Sequence, residues 1–110
     1  MTTYQTIEKY KLIYYGRRNS ESECIAQISF SGNQNQRLGY MRFYKEGQPI
    51  PYNQEITTTT PKQVILHSSE NQLDRVVDML RNEKPCSVYY SSSTDAKIYT
   101  GREPVGEEET

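Results

Sequence analysis

The sequence predicts an α+β fold, an antiparallel sheet in the order β-β-β-β-α-β-β with one amphipathic helix packed on one face. Two segments, 22–31 and 37–45, alternate apolar and polar residues with the period of half-buried strands. One later stretch spaces its apolar residues as a helix does. The 110 residues fit one domain. We assign it to residues 1–102 and expect residues 103–110 to form an acidic, disordered tail.

The first strand is predicted over residues 7–15, which are dense in Tyr, Ile and Leu and precede a turn at 16–20. Ile7, Tyr10 and Tyr14 would also fit a helical stripe, but we favour the strand. A shift of one residue exchanges its two faces, because strand side chains alternate. We expect Tyr10 and Tyr14 to face inward, which leaves Lys9 and Lys11 outward.

The next two strands are predicted to complete an antiparallel meander with the first. Cys24, Ala26, Ile28 and Phe30 would form the inner face of segment 22–31, and a polar loop with Gly32 follows. In segment 37–45 the inner face would hold Gly39, Met41 and Phe43. The outward positions of that segment are then Leu38, Tyr40, Arg42 and Tyr44.

The second half contains the helix. Prolines interrupt residues 48–61, so we expect a partly extended excursion before a fourth strand at 63–67. Ser69 and Gln72 match a capping box, and an apolar stripe follows until Pro85 ends the helix. The stripe comprises Leu73, Val76, Val77 and Leu80. Segments 86–91 and 96–100 are predicted to form a hairpin, with Tyr90 facing inward.

Composition and motifs exclude several classes of function. No run is long and apolar enough to span a membrane, and the first residues do not resemble a secretory signal. Cys24 and Cys86 fit buried thiols, with a disulfide as the alternative if their strands pair, so we expect a cytoplasmic protein. The lone His67 fits a surface or capping histidine, so neither a metal site nor a cofactor is expected. No nucleophile or phosphate-loop motif is present, which predicts a protein that is not an enzyme.

The formal net charge of −1 is unevenly distributed. The last eight residues hold four glutamates and no base, which leaves 13 bases and 10 acids, a net of +3, on the rest. The tail fits a solvated end, and its alternative role is that of a mimic competing for the basic face.

A single helix covers only one face of the sheet, so the opposite face must meet solvent or a partner. That face would combine tyrosines, on which bases stack, with cations that attract phosphates. The predicted nucleic-acid-binding residues are Lys9, Lys11, Arg17, Arg18, Tyr40, Arg42 and Tyr44. We therefore predict a non-catalytic module that binds single-stranded nucleic acid and forms a homodimer. The alternatives are a homo-oligomeric scaffold or regulator that uses the same face, a sheet face that is only exposed to solvent, and an enzyme with sites shared across a dimer interface.

The predicted order of four antiparallel strands and a helix over residues 7–83 resembles the fold of the Whirly proteins and the positive-cofactor-four coactivators. The resemblance covers about three quarters of the chain and rests on element order, since no signature motif of those families is present. It implies binding of single-stranded DNA through sheet aromatics and basic residues. The corresponding surface here would be Lys9, Lys11, Tyr40, Arg42 and Tyr44.

Overall fold

The computed structural model describes residues 3–16 and 24–100, which form eight strands and one α-helix. Short 3₁₀ turns lie at Asn33–Asn35 and Glu70–Gln72. The helix α1 is Leu73–Asn82. The strands are β1 (Thr3–Ile7), β2 (Lys9–Tyr14), β3 (Cys24–Ser31), β4 (Arg37–Tyr44), β5 (Gln54–Ile56), β6 (Gln63–Ser69), β7 (Cys86–Ser92) and β8 (Asp95–Thr100).

The larger sheet has five strands in the order β2-β3-β4-β6-β5. Strands β2, β3 and β4 form the predicted antiparallel meander. Strand β6, however, runs parallel to β4, with Arg42 opposite His67. The excursion after β4 includes the short strand β5, which pairs antiparallel with β6. Parallel strands need such a crossover connection, and a side-chain pattern does not reveal strand direction.

The first predicted strand, at residues 7–15, corresponds to β2, and the strand β1 before it was not predicted. The two strands separate at Glu8, and β1 joins the terminal hairpin in a second sheet of order β1-β7-β8. The Glu8 N–H still donates a hydrogen bond to the Ser31 carbonyl at 2.8 Å, which ties the junction to the larger sheet. The hairpin that the sequence predicts is therefore confirmed, but it belongs to a separate sheet.

The core lies on one side of the five-stranded sheet. Ala26, Ile28, Phe30 and Phe43 are fully buried there. Helix α1 contributes Leu73 and Val76 to this core, and the three-stranded sheet contributes Val88. The α+β fold class, with one helix on one face of a mostly antiparallel sheet, is therefore confirmed.

Helix α1 begins differently from the capping-box prediction. The Ser69 side chain makes no capping hydrogen bond, and the chain enters the helix through the 3₁₀ turn Glu70–Gln72. The Glu70 carboxylate instead accepts a hydrogen bond from the Glu46 N–H at 2.9 Å. A 3₁₀ turn satisfies terminal backbone groups by tightening the first turn, so a side-chain cap is not required. The apolar stripe is correct.

Two irregularities in the β3–β4 pairing change which side chains share a face. Phe30 lies opposite Gly39 but Ser31 lies opposite Arg37, so the alternation reverses at Leu38, which is buried in the core. At Gly39 the backbone has φ +131°, and a Cβ would lie 1.9 Å from the Val64 carbonyl oxygen. Only glycine permits this close approach of β4 to β6.

Three further predictions concern tyrosines and cysteines. Tyr10 and Tyr90 pack against the core as predicted. The prediction for Tyr14 is wrong, because its side chain is 63% exposed near the end of the edge strand β2. Cys24 and Cys86 are both buried, and no disulfide joins them.

Some predictions concern residues outside the described ranges. Arg17, Arg18, the acidic segment 103–110 and the start of the second predicted strand at 22–23 lie outside residues 3–16 and 24–100. Within those ranges, α1 is too short and too polar to cross a bilayer.

Candidate nucleic-acid interface

The face of the five-stranded sheet opposite the core carries mostly polar and cationic side chains in rows across the strands, with the isoleucines Ile13 and Ile65 among them. The pairing aligns Lys11, Ser29, Tyr40, Ile65 and Gln54 in one row. The rows on either side are Lys9, Ser31 and Arg37, and Ile13, Gln27, Arg42 and His67. We call these three rows the open face. The structure thus settles the register of β2, since Tyr10 and Leu12 pack on the core while Lys9 and Lys11 point outward.

A hollow of about 360 Å³ lies on the open face above β3 and β4. Its rim includes Lys11, Arg37 and Tyr40, and amides of Gln27 and Gln63 also line it. Lys11 and Tyr40 stand two strands apart, which is roughly 10 Å at the usual strand spacing. The hollow therefore brings one aromatic ring and two cations to the same part of the open face.

Tyr40 is fixed by its neighbour on the same strand. The Arg42 guanidinium carbon lies 5.0 Å from the centre of the Tyr40 ring, within cation–π range. Arg42 Nε also donates a hydrogen bond to Gln27 Oε1 at 3.1 Å. Tyr15 O–H donates to the same amide oxygen at 3.4 Å. Gln27 thus holds Arg42 in place, and Arg42 packs against the Tyr40 ring before any ligand binds.

The open face is positive because its three rows contain no carboxylate. Lys9 Nζ donates a hydrogen bond to Asn35 Oδ1 at 3.2 Å, a neutral partner. Within residues 3–16 and 24–100, Lys11 and Arg37 make no ion pair or side-chain hydrogen bond. Cations without acidic partners leave their field directed at solvent.

Tyr44, the last residue of β4, is buried and forms a hydrogen bond with the half-buried His67. Its side chain is only 8% exposed, and its hydroxyl lies 2.8 Å from His67 Nδ1 in a hydrogen bond. Burial, reinforced by the adjacent Cys24 thiol, raises the pKa of Tyr44, while the nearby Arg42 charge opposes the shift. Burial first, then the Arg42 charge, lowers the pKa of His67. Both groups are therefore neutral near pH 7.

The structure brings together most of the predicted site residues that it describes. Lys9, Lys11, Tyr40 and Arg42 share the open face. Tyr44 belongs to the same side of β4, but its ring is covered and cannot stack on a base. Tyr44 therefore packs beside His67 at the end of β4.

Sequence reasoning missed three contributors to this face. Arg37 joins it because the irregularity at Leu38 reverses the alternation of β4, which simple period-two counting assigns to the core side. Gln63 and His67 join it because β6 lies beside β4. His67 is thus part of a hydrogen-bonded pair, not a lone surface or capping residue.

Comparison of the chain with family models, curated proteins and solved structures gives no significant match. Likeness to the Whirly and positive-cofactor-four folds therefore stays a prediction from element order, and in the part of the chain that the structure describes six strands precede the helix where the resemblance implies four. Among the described residues no group of three His, Cys, Asp or Glu side chains could hold a metal ion.

Proposed function

We propose that the protein binds single-stranded nucleic acid on the open face. The observation that carries this proposal is the hollow that Lys11, Arg37 and Tyr40 line together, with no carboxylate in the three rows. A base stacked on a tyrosine contributes about 1–3 kcal/mol, and lysine and arginine attract the phosphates on either side.

Single-stranded nucleic acid fits this face better than a duplex does. The open face is a sheet surface, whereas an α-helix or a β-ribbon is what enters a major groove. Unstacked bases of a single strand present their planar faces to an aromatic side chain. The amides of Gln27 and Gln63 offer donors and acceptors for base edges.

Fluorescence anisotropy with labelled single-stranded DNA and RNA of about 12 nucleotides tests the proposal. This length lies within the ~4–16 nucleotides that a single OB-fold domain covers. Affinity should fall as salt rises, and Arg42→Ala should reduce the slope of log K against log salt by about 0.7. Tyr40→Ala should weaken binding about tenfold with the slope unchanged. Arg81→Ala, on the last turn of α1, is the matched control and should bind like the wild type.

Absence of binding even at about 20 mM salt, where phosphate attraction is strongest, would rule the proposal out. Equal losses for Arg42→Ala and Arg81→Ala would also count against it, because they would indicate a general charge effect.

A second candidate function is association of two copies, which a different surface favours. On the outer face of the three-stranded sheet Tyr4 is 68% exposed and lies opposite Tyr89. Tyrosine is enriched at protein interfaces because it pairs a large apolar ring with a polar hydroxyl. This surface would serve a homodimer while the open face stays available for nucleic acid.

A further inference from the structure

A second hollow, of about 400 Å³, lies on the covered side of the five-stranded sheet. It is bounded by β6, by α1 and by β8 of the smaller sheet. Pockets that hold small molecules begin at about 300 Å³ and combine an apolar lining with a few polar groups. This hollow has that size and that composition.

The lining is apolar where the three elements meet. Met41 and Leu66 come from the larger sheet, Val76 and Met79 from α1, and Ile98 from β8. Met41, Leu66 and Val76 are each less than 10% exposed, so the hollow reaches the core. Methionine side chains adapt to the shape of a ligand, which suits an apolar group of varied outline.

The charged side chains of the lining are all cationic. Arg75 on α1 lines the hollow together with Ser68 and Gln72, and no acidic side chain is among the lining residues. Within the described part of the chain Arg75 makes no ion pair or side-chain hydrogen bond. Lys97 also borders the hollow, but its ammonium lies 4.7 Å from the centre of the Tyr89 ring. Arg75 is therefore the cation available to a ligand.

We infer that this hollow binds a small amphipathic anion, with an apolar ring or chain against Met41 and Val76 and an acidic group on Arg75. A guanidinium forms charge-assisted, bidentate hydrogen bonds with carboxylate, sulfonate or phosphate oxygens. The apolar body is desolvated by the floor of the hollow. His67 borders both this hollow and the open face, but the apolar floor lies away from the open face, because Met41 and Leu66 point to the opposite side of the sheet.

The probe for this test is 8-anilinonaphthalene-1-sulfonate, which carries an aromatic body and one sulfonate. Titrated into the full chain, it should show enhanced, blue-shifted fluorescence that saturates. Arg75→Gln should weaken its affinity about tenfold, the loss expected for one charge-assisted contact. Arg81→Gln, on the same helix but away from the hollow, is the matched control and should leave the affinity unchanged.

A neutral analogue separates the charge from the apolar floor. N-phenyl-1-naphthylamine lacks the sulfonate, so its affinity should be equal for the wild type and Arg75→Gln. Met79→Glu places a carboxylate at a half-buried position of the lining and should weaken the sulfonate probe at least tenfold. Cooperative thermal unfolding of each variant, followed by circular dichroism, confirms that it is folded.

The inference is overturned if the wild type gives no saturable fluorescence, or if Arg75→Gln and Met79→Glu both bind the sulfonate probe as the wild type does. Oligonucleotide binding by Arg75→Gln should equal that of the wild type, since the hollow lies on the other side of the sheet. Failure of the oligonucleotide assay would leave the probe result standing, so the two proposals fail separately.

Discussion

The open face and the outer face of the three-stranded sheet both combine tyrosines with cations, but they arrange them differently. On the open face Lys11 and Arg37 have no acidic neighbour in their rows, and both line the same hollow as Tyr40. On the outer face, within the described residues, the cation Lys97 lies over the Tyr89 ring, 4.7 Å from its centre. On the open face Arg42 also lies over a ring, 5.0 Å from the centre of Tyr40, but Lys11 and Arg37 do not lie over any ring that the structure describes. A cation that faces solvent offers more to a phosphate than one stacked on a ring.

This difference shows that counting tyrosines and cations does not identify a nucleic-acid surface. Among the described residues the outer face carries the tyrosines Tyr4, Tyr89 and Tyr99. Tyr4 lies opposite Tyr89, and the centre of the Tyr99 ring is 6.0 Å from the Lys97 ammonium. It is therefore the more aromatic surface, and the open face is the more positive one. We propose contacts between copies for the outer face and phosphate binding for the open face.

Charge reversal on the open face should have the largest effect. Lys11→Glu combined with Arg37→Glu should reduce oligonucleotide affinity by about 100-fold or more at about 50 mM salt, because two attractive sites become repulsive. The matched change on the outer face, Lys97→Glu, should alter affinity less than about twofold. Anisotropy measures both. An equal loss in the two variants would show that the faces do not differ in the way described.

Removal of aromatic area from the outer face should change the oligomeric state. Tyr4→Ser combined with Tyr89→Ser should shift the mass in light scattering from that of a dimer to that of one 12.8 kDa chain. Tyr40→Ser is the control from the open face and should leave the mass unchanged. A wild-type mass of one chain would remove the dimer proposal and leave the nucleic-acid proposal intact.

The Tyr44–His67 pair should contribute to stability and not to binding. Tyr44→Phe removes the buried hydroxyl that lies 2.8 Å from His67 Nδ1, and the free energy of unfolding in urea should fall by about 1 kcal/mol. Tyr4→Phe removes a hydroxyl from an exposed ring and should change the free energy of unfolding by less than about 0.5 kcal/mol. Equal costs would mean that the buried hydrogen bond adds nothing.

The lowered pKa of His67 predicts a smaller, pH-dependent effect. Below its ordinary value of 6.5 the unfolded chain takes up a proton that the folded chain still resists, so stability falls as pH drops toward the lowered pKa. Above 6.5 this contribution is constant. As the pH falls below 6.5, the free energy of unfolding of His67→Gln should decrease less than that of the wild type in urea titrations. Parallel curves for the two proteins would contradict the assignment.

Much of the fold could be predicted from periodicity. The stripe of Leu73 and Val76 on α1 and the alternation around Ile28 each reflect one regular element packed on one core, and both are correct. The division at Glu8 and the parallel pairing of β6 with β4 could not be predicted in this way. Both depend on where distant segments pair, and a local pattern does not carry that information.

The same reasoning explains which site residues could be predicted. Tyr40 and Arg42 lie in a regular part of β4, so their shared face follows from alternation alone. Arg37 lies beyond the irregularity at Leu38, where period-two counting gives the opposite face. Tyr44 is on the expected side of β4, but it is buried beside His67 of β6. Strand β6 begins 19 residues after Tyr44, so a local pattern does not reveal this contact.

The most direct test of the assignment of nucleic acid to the open face is a nuclear magnetic resonance titration. Amide resonances of ¹⁵N-labelled full-length protein would be followed as a short oligothymidylate is added. The largest shifts should fall on β2, β3 and β4 around Lys11, Ser29 and Tyr40, with β7 and β8 unchanged. Shifts concentrated on Tyr89, Lys97 and Tyr99, or the absence of shifts at low salt, would contradict the central claim.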